Sequence, residues 1–158
     1  MRSTIGIDID APPDLVFAIA RDVSLWQLLL AHYSRSQAER RHADGSITCR
    51  FVARRPLVPV LGIGLPVAWR SRVSSDAASR RLRFQHTGGV TAGMDVTWRL
   101  EARPNGGTRV DIEHVFDRGP ADLLPVFVER VFTRSIAGRT LATFKALAEA
   151  LHAAGIAP

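Results

Sequence analysis

Apolar and polar residues alternate along most of the first 116 positions and then change period. In "TIGIDID" Ile5, Ile7 and Ile9 alternate with polar or small residues, the pattern of a half-buried strand. "APPDLVFAIARD" follows, with Pro12 and Pro13 suited to a helix start and Asp14 to its positive end. A second short helix is predicted over "SLWQLLLAH", with Ser24 as its N-cap. Six further strands are predicted. Tyr33 to Arg41 is polar and reads as an edge strand. "SITCRFVA" alternates through Ile47, Cys49 and Phe51 after the turn signal Asp44-Gly45, and "LPVAWRSRVSS" through Val67, Trp69, Ser71 and Val73. "RLRFQHT" carries Leu82, Phe84 and His86, "MDVTWRLEA" carries Met94, Val96, Trp98 and Leu100, and "TRVDIEHVF" carries Val110, Ile112, His114 and Phe116. The short connections between them imply an antiparallel meander. From Ala121 to Ala153 the period becomes helical, with Leu141, Phe144, Ala148 and Leu151 forming one stripe.

The order strand, two short helices, six strands and a long helix predicts an α+β protein. Its seven-stranded antiparallel sheet would curve around the C-terminal helix and leave an interior cavity. The 158 residues fit one domain spanning 1–158. "RRPLVPVLGIGLPVAWRSR" interrupts the pattern with an apolar run broken by Pro56, Pro59, Gly62, Gly64 and Pro66. Proline cannot donate to a sheet ladder, so this run is expected to be a loop over the cavity mouth that covers a hydrophobic ligand. The alternative is an exposed apolar contact with a second copy or a membrane surface.

Charge and composition narrow the function. The formal net charge is +6, yet Lys145 is the only lysine among 21 basic residues. The arginines are scattered among acids and read as the product of a GC-rich genome, so no nucleic-acid partner is expected. One cysteine, Cys49, permits no internal disulfide, and no secretory leader pattern opens the chain. A cytoplasmic protein with no stable membrane insertion, either monomer or homodimer, is expected. "HTGGVTAG" lacks the lysine and strand–helix context of a phosphate loop and reads as a hairpin tip.

The hairpins give a first geometry. A turn near Asp76 to Ser79 would set Trp69 opposite His86 and Ser71 opposite Phe84. The next two connections would set Phe84 opposite Val96 and Val96 opposite His114. One face would then carry the rows Trp69, His86, Met94, Phe116 and Ser71, Phe84, Val96, His114. That face is mostly apolar and should point toward the long helix. His86 and His114 would lie about 10 Å apart, two strand spacings. They are candidate acid/base groups, because imidazole titrates near neutrality, and equally candidate inner-face histidines bonded to backbone or water. No third ligand converges on them and about 10 Å is too far for shared coordination, so no metal is expected. Ser71 has no relay beside it and is no nucleophile.

The chain resembles the START-like, helix-grip (SRPBCC) superfamily, in particular its polyketide cyclase/dehydrase branch. The resemblance rests on Ile7 to Trp26, "AWRSR" (Ala68 to Arg72), "MDVTWRLEA", "GGTRVDIEH" and "AGRTLATFKALAEAL". It implies a cavity that binds a hydrophobic small molecule, free or as a carrier-protein-bound polyketide. It also implies aldol cyclisation and dehydration without a cofactor, as in an aromatase/cyclase; the alternatives are a non-catalytic carrier of a lipid-like or aromatic molecule and a protein-interaction module. By the same resemblance Arg72 would hold the substrate oxygen, with a second cavity arginine of the branch replaced here by Gln85. A fixed cation stabilises enolate charge best where water is excluded. Simple alternation puts Arg72 on the face opposite Trp69 and Ser71; a one-residue bulge would turn it inward. The catalytic candidates are thus Arg72, His86 and His114. The substrate-binding candidates are Trp26, Tyr33, Trp69, Ser71, Phe84, Met94, Trp98 and Phe116.

Overall fold

The computed structural model describes residues 2–58, 63–89, 91–117 and 135–157. Strand β1 (Arg2–Ile9) leads into helix α1 (Pro13–Arg21), a single 3-10 turn (Val23–Leu25) and the short helix α2 (Trp26–Leu29). Six strands follow: β2 (Tyr33–Arg41), β3 (Ile47–Val58), β4 (Ile63–Asp76), β5 (Arg81–Gly89), β6 (Met94–Ala102) and β7 (Thr108–Phe116). A π-type turn at 135–137 then enters helix α3 (Gly138–Ala153). All strands are antiparallel in one sheet of order β1-β7-β6-β5-β4-β3-β2, so β7 bridges the first strand to the meander and the polar β2 is an edge.

Strict alternation makes one face of this sheet the core. In β6 and β7 every second residue from Met94 to Leu100 and from Thr108 to Phe116 is buried. Leu141, Phe144 and Ala148 of α3 are buried and Leu151 packs beside them, which is the stripe expected from the sequence. Proline at the first position of α1 supplies the preset φ of a helix start. Ser24 is not a helix N-cap. Asp22 takes that role, its carboxylate accepting from the Ser24 backbone N–H at 3.2 Å and from the Ser24 hydroxyl.

One expectation about the β3–β4 hairpin changes. Pairing continues through Arg54↔Pro66, Arg55↔Leu65, Pro56↔Gly64 and Val58↔Ile63, so Pro56, Gly64 and Pro66 lie within strands and not in a loop. This is compatible with proline because β2 pairs with β3 only as far as Ala53 and β5 with β4 only as far as Trp69, leaving this end of the hairpin without outer strand partners among the described residues. The tip, 59–62, including Pro59 and Gly62, lies outside the described residues, as does 118–134 ahead of α3.

The β4–β5 register also differs from the expectation by one residue on each strand. The connecting turn is Ala77–Arg80, not Asp76–Ser79, because Asp76 accepts from the backbone of Ala78 and Ser79 and from the Ser79 hydroxyl, and so anchors the turn from its first position. Ser71 therefore faces His86 and Val73 faces Phe84. The register Phe84↔Val96 and Val96↔His114 is as expected.

A bulge follows on β5. Ser71 pairs with His86 but Arg70 pairs with Gly88, so Thr87 is the extra residue. Gly89 completes the bulge at φ 87°, where an added Cβ would lie 2.4 Å from the Ala68 carbonyl oxygen. Gly89→Ala is expected to cost about 2 kcal/mol or more, from left-handed strain plus the clash. Gly45→Ala, at φ 80° with open space around it, should cost only the strain, on the order of 1 kcal/mol. Urea unfolding of the two variants measures the difference; equal midpoints would contradict the close approach at Gly89.

Candidate functional site

Between the concave face and α3 lies a cavity of about 70 Å³. Six aromatic rings belong to its wall: Trp26, Tyr33, Phe51, Trp69, Phe84 and Trp98. Trp26 sits among them, with ring centroids 5.5–6.0 Å from those of Tyr33, Phe51, Phe84, Trp98 and Phe144. Its indole N–H donates to the Ala20 carbonyl at 3.1 Å, so the one polar atom of this ring is satisfied inside α1 and the rest is apolar surface.

The polar part of the wall comes from two sides. His86 on β5 and His114 on β7 enter from one side. The ring of His86 stacks on Trp69 at 6.1 Å and 9°, and its Nδ1 lies 2.6 Å from the Thr91 hydroxyl oxygen. His114 Nδ1 is buried without a partner among the described residues; Ser3, directly opposite it on β1, has a buried hydroxyl that is likewise unpartnered. Burial pulls His86 down to about 3, helped by the neighbouring His114, and burial pulls His114 down to about 4. Both imidazoles are therefore neutral at physiological pH.

Tyr33 and Thr140 enter from the β2 side. Thr140 donates to the Ile136 carbonyl at 2.9 Å, so its oxygen is left to accept from His32 Nε2, also at 2.9 Å. His32 is held near 4 by burial first and by the Arg139 charge second, and burial raises the Tyr33 phenol far above its ordinary value. The sequence pattern alone did not single out His32, Thr140, Phe51, Ile112, Ile136 or Ala137. A signal existed for Thr140: it precedes Phe144 by four positions, on the buried stripe of α3.

Of the candidates, Trp26, Tyr33, Trp69, Phe84, Met94, Trp98, His86 and His114 all line the cavity. Ser71 and Phe116 are buried on the same face but do not reach it. Arg72 lies on the outer face. Its guanidinium donates to Asp44 at 2.7 Å and to Ser46 at 2.8 Å, and the side chain is 43% exposed. The bulge that could have turned it inward falls on β5, not β4, so the alternation Trp69, Ser71, Val73 inward and Arg70, Arg72 outward is unbroken. Gln85, paired with Arg72, is exposed on that outer face too. No lysine, arginine, aspartate or glutamate is among the described residues that line the cavity. No group of three or more His, Cys, Asp and Glu among them could hold a metal ion. Cys49 is buried, with its thiol pushed up to about 11 chiefly by burial, which keeps it unreactive.

A strongly curved seven-stranded sheet gripping one long helix around an aromatic cavity defines a helix-grip fold. The sequence matches the family described as "Polyketide cyclase / dehydrase and lipid transport" over residues 2–149, and the chain belongs to that family. Among solved structures it is similar to the ZhuI aromatase/cyclase from Streptomyces sp. R1128, at 20% identity over 99% of both chains with a TM-score of 0.77. It is similar to the di-domain ARO/CYC BexL from the BE-7585A biosynthetic pathway, at 22% identity over 96% of this chain and 47% of that one, TM-score 0.72. A START superfamily protein from Mycobacterium smegmatis shares 11% identity over 95% and 98% of the two chains, TM-score 0.71. At these identities the shared property is the fold. No curated protein matches the sequence. No described helix is long and apolar enough to cross a membrane.

The three buried histidines predict a pH dependence. Each has a folded-state pKa below its ordinary 6.5, so below that pH the unfolded chain binds more protons than the folded one. Their contribution is complete above 6.5 and is lost as pH falls toward about 4. The carboxylates with lowered values, such as Glu39 and Glu113, start from 4.5 and act below that window. Thermal melts should therefore show the melting temperature falling between pH 6.5 and 4.5, less steeply in His86→Phe than in wild type. Identical slopes would contradict a neutral His86.

Proposed function

We propose that the protein binds an uncharged, mainly aromatic small molecule in the cavity between its sheet and α3. The observation that carries this reading is the wall itself, six aromatic rings with neutral polar groups and, among the described residues, no charged side chain. An ionised ligand would lose its hydration there and find no counter-charge among the described residues, a penalty of several kcal/mol. A ring system instead meets faces and edges at the 5–6 Å spacings that aromatic side chains already use with one another. The cavity's 70 Å³ is small beside the roughly 300–1,000 Å³ of drug-sized pockets, so binding pushes the wall outward.

Polyketide cyclisation is the second reading, favoured by the family and by His86 and His114 on one side of the wall. In an aldol step one imidazole N–H would donate to the developing enolate oxygen while the other imidazole takes the α-proton. The substrate would arrive free or tethered to a carrier protein. Arg72 has no part in this version, since its guanidinium is engaged outside by Asp44 and Ser46.

Tryptophan fluorescence reports binding directly, because Trp26, Trp69 and Trp98 all line the cavity. Methyl β-naphthyl ketone should quench it with micromolar-range affinity, and β-naphthoate should bind at least about tenfold more weakly, the carboxylate's desolvation deciding the difference. Equal or tighter binding of the carboxylate would overturn the proposal. With a poly-β-ketone substrate, a cyclase should shift product ratios relative to buffer. His114→Phe should lose the shift and Arg72→Ala should keep it. Unchanged ratios with wild-type protein would leave binding alone.

A further inference from the structure

The Thr91 hydroxyl is fully buried and His86 is its described hydrogen-bond partner, at 2.6 Å from Nδ1. A hydroxyl can give or take a hydrogen bond, and so can a neutral imidazole nitrogen, so two arrangements are possible. If Nδ1–H donated to Thr91, the hydroxyl hydrogen would be left buried with no acceptor among the described residues. If Thr91 donates to Nδ1, that hydrogen is satisfied and the ring proton is forced onto Nε2. Thr91 is held in place by its own turn: the Met94 N–H donates to the Thr91 carbonyl at 3.0 Å, and the Gly93 N–H to the His86 carbonyl at 2.9 Å. Trp69, stacked parallel to the imidazole, limits tilting of the ring. The nitrogen left for the cavity is then Nε2, carrying its hydrogen.

We propose that Thr91 is a positioning residue that fixes His86 as a hydrogen-bond donor, and that the cavity therefore selects ligands carrying a neutral acceptor oxygen, such as an aromatic ketone. The proposal rests on the cavity being the binding site and adds what the site reads. It assigns a use to the hairpin tip between β5 and β6, which fills the interior with one hydroxyl and orients the group that meets the ligand. It also separates the two imidazoles. His86 is committed to donating, whereas His114 has no Nδ1 partner among the described residues to fix its tautomer.

Two readouts test it. The first needs no ligand: long-range proton–nitrogen NMR of ¹⁵N-labelled protein, with His86 assigned from the spectrum of His86→Phe. The expected His86 pattern is a protonated Nε2 and an unprotonated Nδ1 shifted by an accepted hydrogen bond. Thr91→Ser should retain that shift and Thr91→Val should lose it. A protonated Nδ1 in wild type, or an unchanged Nδ1 signal in Thr91→Val, would overturn the role of Thr91.

The second readout compares methyl β-naphthyl ketone with β-isopropenylnaphthalene, which has the same shape with CH₂ in place of oxygen. Wild type and Thr91→Ser should prefer the ketone by roughly three- to tenfold, the worth of one net hydrogen bond. His86→Phe should bind both alike, and Thr91→Val should show a reduced preference. Equal affinities in wild type would overturn the acceptor selection. Binding of neither compound would instead refute the cavity reading and the selection built on it, while the NMR signals would still decide what Thr91 does.

Discussion

Trp26 is the contact on which the rest of the interior depends. It stands on a four-residue helix that could not persist alone, yet its indole touches rings from β2, β3, β5, β6 and α3 and is tied by its N–H to the end of α1. A curved sheet has an apolar concave face wider than a single helix covers. The Trp26 ring closes part of that gap, and the remaining gap is the cavity. Stability and the proposed binding therefore draw on the same rings. Phe51 stacks on Trp69 at 5.4 Å and Trp69 stacks on His86, so the wall that packs the core is also the one proposed to meet a ligand.

The placement of charge follows from the same geometry. Arginines alternate outward along β4 and β5, where Arg70 is held by Glu39 and Arg72 by Asp44. Exposed pairs of this kind add little to stability and serve mainly to keep the convex face hydrated. Inside, desolvation strips His32, His86 and His114 of charge. The interior is thus polar without being charged, which suits hydrogen bonding to a neutral ligand more than electrostatic capture of an anion.

Much of this was legible in the sequence because alternation at period two leaves little freedom. Once Phe84, Val96 and His114 were assigned to strands with short connections, both their common face and their cross-strand order followed. The failures have local causes. One carboxylate, Asp76, moved the β4–β5 turn by a residue. Proline in β3 and β4 was read as excluding a strand, although a hairpin end without outer strand partners among the described residues accommodates it. Arg72 was drawn inward by family resemblance when the period itself placed it outward. His32 and Thr140 were missed because they meet across 108 positions of sequence, a contact that no local pattern encodes.

The central claim is that the aromatic interior, and not the convex face, is where this protein meets its ligand. The convex face offers a rival in the open polar groove bounded by Ser46, Arg72, Ser74, Arg83 and Gln85. Intermolecular nuclear Overhauser contacts from bound methyl β-naphthyl ketone discriminate between the two directly. The account predicts contacts to the ring protons of Trp26, Trp69, Trp98, His86 and His114. Contacts confined to the side chains of Arg72, Ser74 and Arg83 would contradict it.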